Sequence, residues 1–139
     1  MFNIKNMLFP IDLDEEDISP VITALEIAKT FHSSLHIFYV NDIEAGFRHP
    51  TDREDAVALR VREVAPQELL DSVKALYAAA KGDLAEEVVK YCQDKAIDLI
   101  IVGHKHRHKI YTELFDSSDV NIIDAVKLPV LVIPLREKS

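Results

Sequence analysis

The sequence predicts an α/β fold in which an open, mostly parallel, five-stranded sheet carries helices on both faces. Short, continuous apolar runs alternate along the chain with longer segments of helical spacing. Strands that are buried on both faces alternate with crossover helices in the same way. The 139 residues, 48% hydrophobic and 29% charged, fit a single domain (1–139) with a core of its own.

The first strand and the first helix are separated by an acidic loop. The apolar run at 7–11 predicts a strand that ends near Pro10, because proline has no amide donor for the ladder. A helix is expected to begin at Pro20, whose missing N–H costs nothing at the first helical position, with Ser19 as its N-cap. This helix continues to about Phe31.

A second strand and a second helix follow. Residues 35–40 form an apolar run that predicts a strand parallel to the first, since a crossover helix joins the two. A loop over 41–52 leads to a helix between Arg53 and about Ala65. Pro66 is expected to break this helix or to start it again.

The segment 73–81 is ambiguous between helix and strand. Its alanines favour a helix, whereas the alternation of elements along the chain requires a strand, and we favour the strand. Gly82 and Asp83 then form a turn and a helix cap, with Glu86 in a capping-box position. The inner stripe of the helix that follows is predicted to contain Leu84, Val88 and Tyr91, with Cys92 buried beside them.

The last two strands are the most apolar parts of the sequence. Residues 98–103 form the clearest buried strand, and Gly103 is expected to allow a sharp turn at its end. A basic loop over 104–109 and a helix over about 112–126 follow. Residues 129–134 complete the sheet as its fifth strand.

The composition excludes several classes of protein. The 16 basic residues against 24 acidic ones give a net charge of −8, which repels polyanions, so no nucleic-acid partner is expected. The single cysteine cannot form an internal disulfide and the N-terminus lacks a secretory pattern, which together predict a cytoplasmic location. No apolar run reaches the roughly 18 residues of a bilayer-spanning helix, so no membrane insertion is expected.

Five segments in a defined order resemble the universal stress protein family. They are Leu8-Phe9-Pro10-Ile11-Asp12, His36-Ile37-Phe38-Tyr39-Val40, Gly82-Asp83-Leu84-Ala85-Glu86, 98–104 and 128–134. Each segment is generic, but the order and the intervals are specific, and the match covers essentially the whole chain. The resemblance implies the strand order 3-2-1-4-5. It also implies a homodimer in which the edge strand, 130–134, pairs with its two-fold mate.

The same resemblance locates a nucleotide pocket from which most glycines are missing. Family members that bind ATP carry G-x-x-G, nine residues, then G-[ST] after the fourth strand, because glycines let backbone amides approach phosphate oxygens. Here Gly103 and Ser117 match the two ends of the pattern, but His106 and Asp116 replace the other two glycines. A Cβ at His106 disfavours a left-handed backbone, and the Asp116 carboxylate repels phosphate.

The resemblance therefore implies a degenerate nucleotide or phosphate pocket. In binding members, the residue at Asp12 contacts the sugar or base and the backbone at Val40 faces adenine. The acidic run over 12–17 adds repulsion unless a divalent cation screens it. The residues assigned to this pocket are Pro10, Asp12, Val40, Gly103, His104, His106, Arg107, Ser117 and Ser118.

The chain resembles the family's subgroup that does not bind ATP, which implies a stress-response protein acting by dimerisation and protein contacts, with no cofactor. No Ser/His/Asp constellation, catalytic carboxylate pair or dinucleotide fingerprint can be identified, so no enzymatic activity beyond weak ATP hydrolysis is expected.

The basic loop 104–109 leaves two alternatives open. Its six cationic or protonatable side chains could replace the glycines, which would make the protein a sensor of a nucleotide or phosphate ligand, such as ATP or AMP with Mg. Alternatively, the alternating His104, His106 and His108 could bind Zn or Ni. The two lysines and the arginine of this loop would repel a metal cation, so we predict no metal site.

Overall fold

The computed structural model contains five strands, β1 (Asn6–Pro10), β2 (Ser34–Asn41), β3 (Ala75–Lys81), β4 (Leu99–His104) and β5 (Val130–Pro134). All five are parallel to their neighbours, and their order in the sheet is β3-β2-β1-β4-β5. The structure describes residues 3–13, 15, 17–41, 54–104 and 126–134. The predicted α/β class and strand order are confirmed, with β3 and β5 at the two edges.

Helices in the described part of the chain connect these strands. They are α1 (Pro20–Phe31), α2 (Glu54–Val64), α3 (Gln67–Asp71) and α4 (Leu84–Asp94). The predicted helices over 20–31 and 53–65 are confirmed to within one residue at each end. Pro66 ends the first helical run and occupies the N-cap position of the short α3, so it does both things expected of it. Of the predicted helix over 112–126, the structure describes only its last residue, Val126, which is helical.

The ambiguous segment over 73–81 forms a strand. Every residue of β3 pairs with β2, from Leu35 opposite Ala75 to Asn41 opposite Lys81. The helical propensity of the alanines is overridden, because a ladder along β2 satisfies the backbone of the whole segment at once.

The sheet separates two apolar cores. On one face, α1 and α2 pack against strand residues that include Met7, Phe9, Leu35, Ile37 and Ile101. On the other face, α4 packs against strand residues that include Leu8, Phe38, Val40, Ile100 and Val102. Leu84, Val88 and Cys92 of α4 are buried as predicted, whereas Tyr91 is half-buried at the border of that core.

The two helix starts that the sequence predicts differ in their capping. Asp83 caps α4 as expected, since its side chain accepts the Glu86 N–H at 2.9 Å. Ser19 stands at the predicted N-cap of α1, but its hydroxyl makes no capping hydrogen bond because the residue already has helical dihedrals. Within the described ranges, no helix has the length and apolar composition needed to cross a membrane.

Candidate functional site

A small cleft opens at the carboxyl ends of β1 and β4, where the strand order reverses. Ligands of open α/β sheets bind at this position. The cleft contains about 310 Å³ of atom-free space, part of it open to solvent. Its lining consists of Phe9, Pro10, Ile11, Asp12, Glu15, Asp17, Ile18, Pro20 and Gly103.

Asp12 forms part of the cleft wall and is only 4% exposed. The chain is fixed just before it, because the Ile11 N–H donates to the Phe38 carbonyl at 2.9 Å. A turn begins at Asp12 itself, whose carbonyl accepts the Glu15 N–H at 3.2 Å. The structure thus places the buried Asp12 beside Pro10 and Gly103, three residues that the sequence assigned to one pocket.

The start of α1 faces this cleft, but none of the backbone amides of residues 19–22 is free to bind a ligand. Pro20 has no N–H, and the Ser19 N–H donates to Asp17 Oδ1 at 2.9 Å. The Val21 and Ile22 amides donate to the carbonyls of Ile18 and Ser19 at 3.0 and 2.9 Å. A helix start binds anions through free amides, so these residues offer none to a phosphate.

Arg60 of α2 holds the loop between β1 and α1 from outside the cleft. Its Nη2 donates to the Glu15 carbonyl at 3.1 Å, and its Nη1 lies 3.4 Å from Glu63 Oε2 on its own helix. The guanidinium therefore binds the backbone of the acidic loop. The lining contains three carboxylate residues, Asp12, Glu15 and Asp17, and its described members include no lysine, arginine or histidine.

Gly103 is explained by packing. A Cβ added to it would lie 3.0 Å from both Cβ and Cγ of Pro20, which is tighter than most Cβ contacts in proteins, so the proline ring would have to shift. The sharp turn predicted at Gly103 is wrong, because β4 continues to His104 and Gly103 pairs with Ile133 of β5. Its φ is not positive, whereas Gly82, in the turn before α4, has a φ of 149°.

Val40, which the resemblance assigned through its backbone, is not among the described lining residues of the cleft. It is 1% exposed and belongs to the core on the face of α4, on the other side of the sheet from Phe9 and Ile11. His104 is the last residue of β4 and pairs with Pro134. The other predicted pocket residues, His106, Arg107, Ser117 and Ser118, lie outside the described residues, as does His108 of the alternative metal site.

Other reactive side chains are structural in the described part of the chain. Cys92 is 4% exposed, and burial raises the pKa of its thiol to about 12, so the thiolate that a nucleophile needs is not formed at neutral pH. His36 is packed, at 5% exposed. Among the described residues, no three His, Cys, Asp or Glu side chains are grouped so that they could hold a metal ion.

Sequence reasoning missed two residues that shape the cleft. The sequence identifies Pro20 as the start of a helix, but the neighbouring residues do not indicate that its ring packs against Gly103. Arg60 carries no local signal, since it lies 45 residues from the carbonyl that it binds.

The model of the universal stress protein family matches residues 3–134 of this chain. The chain belongs to this family. The resemblance drawn from five short segments is therefore confirmed over nearly the whole length of the sequence.

Individual universal stress proteins agree with this assignment. A universal stress protein A homolog of Haemophilus influenzae is 26% identical over 145 aligned residues, covering 96% of this chain and 99% of the relative. The universal stress protein UspA from Lactobacillus plantarum is 20% identical with a TM-score of 0.65, covering 94% of this chain and 98% of that one. A universal stress protein in complex with cAMP is 18% identical with a TM-score of 0.64, covering 94% and 97%. At these identities the two solved structures show a common fold.

Proposed function

We propose that this universal stress protein acts in the cytoplasm as a homodimer, through contacts with other proteins and without binding ATP. The observation that carries the proposal is the lack of a cationic side chain in the described lining of the cleft. Asp12, Glu15 and Asp17 line it, and none of its described lining residues is basic. Proteins hold a triphosphate through cationic side chains or free backbone amides, and the described lining of this cleft supplies no such cation.

The supply of backbone donors supports the same conclusion. The first amides of α1 have protein acceptors or are absent, as at Pro20. The retained Gly103 is accounted for by its contact with Pro20. In the sequence, His106 and Asp116 stand where ATP-binding members have glycine. Each difference removes a way of holding phosphate oxygens, and together they favour a protein without bound ATP.

The homodimer is proposed to form through β5. This strand is at the edge of the sheet, and Leu131 and Val132 are 40% and 41% exposed on it. An apolar edge strand that stays unpaired is prone to aggregation, and antiparallel pairing with a two-fold mate covers it.

A second candidate is a nucleotide or phosphate sensor. The complex of a universal stress protein with cAMP shows that this fold can hold a nucleotide. The basic loop 104–109 begins immediately after Gly103, which lines the cleft of this chain. In this candidate, the cations of the loop replace the missing glycines as phosphate ligands.

Titration of the untagged protein with ATP, with and without Mg, separates the two candidates. Calorimetry measures the heat of binding, and the melting temperature is followed in parallel because a ligand that binds the native state raises it. AMP and cAMP serve as ligands without a triphosphate. The lead proposal predicts no saturable heat and no shift in melting temperature at millimolar ATP.

Saturable binding near micromolar would instead establish the sensor. In that case His106→Ala and Arg107→Ala should each weaken binding, because they remove a cation or a protonatable ring from the loop. Binding that is unchanged in both variants would exclude the loop as the phosphate site.

A further inference from the structure

His36 lies buried where β2 meets β1 and α4. Its Nδ1 is 2.7 Å from the Tyr91 hydroxyl oxygen on α4, and its Nε2 is 3.2 Å from Asn6 Oδ1 on β1. The Asn6 oxygen can only accept, so Nε2 carries the proton and donates. In the neutral ring Nδ1 then accepts from the Tyr91 hydroxyl, and both ring nitrogens are satisfied.

Tyr91 connects this histidine to the rest of α4. Its ring stacks on Phe38 with centroids 4.3 Å apart, and it meets the His36 ring edge-on at 5.5 Å. The next residue, Cys92, and Val88 one turn earlier are buried in the same core. The His36–Tyr91 contact is therefore a polar attachment between the sheet and the packed face of α4.

Burial and two nearby lysines disfavour a second proton on His36. Burial lowers the pKa of His36, and Lys95 at the end of α4 and Lys74 before β3 lower it further. Neither ring nitrogen contacts a carboxylate.

His36 and Tyr91 line a groove together with charged groups of both signs, namely Glu54 of α2 and Glu87, Lys90, Asp94 and Lys95 on or next to α4. None of these carboxylates accepts a hydrogen bond from a ring nitrogen of His36. The Oδ2 atom of Asp98 accepts the backbone amides of Lys5 and Asn6. Burial, with smaller contributions from Glu54 and Cys92, raises the pKa of Tyr91 to about 12, and burial raises that of Cys92 to about 12.

We propose that the His36–Tyr91 contact is an acid-sensitive attachment of α4 to the sheet, intact at neutral pH and loosened when His36 takes up a proton. A protonated ring donates from both nitrogens, so the Tyr91 hydroxyl would have to turn and accept. It would also place a positive charge in a site that is 5% exposed, near two lysines.

The direction of the pH effect follows from proton linkage. Above about pH 6.5, His36 is neutral in both the folded and the unfolded chain, and the attachment keeps its full strength. As the pH falls below that value, the detached histidine takes up a proton before the attached one does. The equilibrium between attached and detached α4 therefore shifts toward the detached state as the pH falls. The shift levels off once the pH is also below the pKa of His36 in the attached state. At a pH below both pKa values, the equilibrium constant for attachment is reduced about tenfold for each unit by which attachment lowers the pKa of His36.

Cys92 provides a native probe, because it is the only cysteine of the chain and lies on the packed face of α4. The labelling rate of its thiol with a dipyridyl disulfide, which reacts in mild acid, reports how often this face opens. Rates are measured between about pH 7.5 and pH 5, the range in which histidine titrates. They are divided by the rate of the chain unfolded in denaturant at the same pH, which removes the intrinsic pH dependence of the thiol.

The matched variants are His36→Gln and His32→Gln. Glutamine at 36 keeps a donor and an acceptor but cannot be protonated. His32 is exposed at the end of α1 and serves as the control for loss of a histidine elsewhere. We expect the corrected labelling of the wild type and of His32→Gln to rise at least about twofold toward pH 5, and that of His36→Gln to stay flat.

Two further measurements keep the proposal testable if His36→Gln does not fold. In the wild type, the His36 ring should titrate by NMR below its ordinary value of about 6.5. In mild acid, amide protection corrected for the intrinsic exchange rate should fall in α4 more than in β1. A ring that titrates at or above the ordinary value, protection that falls equally in both elements, or labelling equally pH-dependent in His36→Gln and the wild type would each overturn the proposal.

Discussion

Gly103 is the one signature glycine that this chain retains, and at the residue scale its surroundings explain it without a ligand. The missing side chain allows the end of β4 to approach Pro20 at the start of α1. Two atoms of the proline ring lie 3.0 Å from the position that a Cβ would occupy. The glycine thus sets how closely the first helix approaches the fourth strand, whatever the cleft binds.

Gly103→Ala should lower the free energy of unfolding by about 1 to 3 kcal/mol, because the added methyl group overpacks this contact. Urea unfolding at neutral pH measures the loss. The matched test repeats the substitution in a Pro20→Gly background, which removes both clashing atoms, so most of the loss should disappear. Equal losses in the two backgrounds would show that the glycine is required for a reason other than Pro20.

The starts of α1 and α4 show at the element scale how two helices with similar sequence signals begin differently. Asp83 has extended dihedrals and its carboxylate accepts the Glu86 amide. Ser19 has helical dihedrals, and the carboxylate of Asp17 accepts its amide instead. The side chain at an N-cap reaches the amides of the first turn only when its own backbone is outside the helical region.

Asp83→Ala should therefore destabilise the protein by about 1 kcal/mol, whereas Ser19→Ala should change the stability by less than about 0.5 kcal/mol. Thermal or urea unfolding of the two variants beside the wild type makes the comparison. Since both substitutions remove a small polar group at an N-cap, each is the control for the other. Similar losses in both variants would mean that the Ser19 hydroxyl does stabilise α1.

The two edges of the sheet decide at the scale of the whole molecule how copies of this chain can associate. β3 forms one edge and β5 the other, and Leu131 and Val132 are large exposed apolar residues on β5. Leu59 on α2 is also exposed, at 57%, but it lies on a helix that has no open ladder of backbone donors and acceptors. The proposed dimer uses the edge strand because it offers both apolar surface and unpaired backbone groups.

Leu131→Lys should shift the proposed dimer toward monomer, with the dissociation constant raised about tenfold or more, because a charged residue on an edge strand opposes pairing. Sedimentation velocity over a concentration series measures this shift. Leu59→Lys adds the same charge at an exposed leucine and should leave the dimer unchanged. A wild-type monomer throughout the series, or equal effects of the two lysines, would refute pairing through β5.

The sequence alone predicted the fold of the described residues closely. The bounds of α1, the strand over 75–81 and the burial of Cys92 follow from capping residues, from the alternation of elements and from helical spacing. These signals are encoded within a few neighbouring residues. For the candidate site, the family resemblance selected Pro10, Asp12 and Gly103, which line one cleft in the structure. It also selected the backbone of Val40, which is not among the residues that line the cleft in the described part of the chain.

Only the tertiary structure decided the contacts between residues that are far apart in sequence. Three such contacts are those of Pro20 with Gly103, of Arg60 with the Glu15 carbonyl, and of Tyr91 with His36. In none of them does the sequence next to either residue indicate its partner. Periodicity shows which face of an element is buried, but not which side chain of another element it meets there. That choice depends on the register and spacing of the packed elements, which are set by the whole core together.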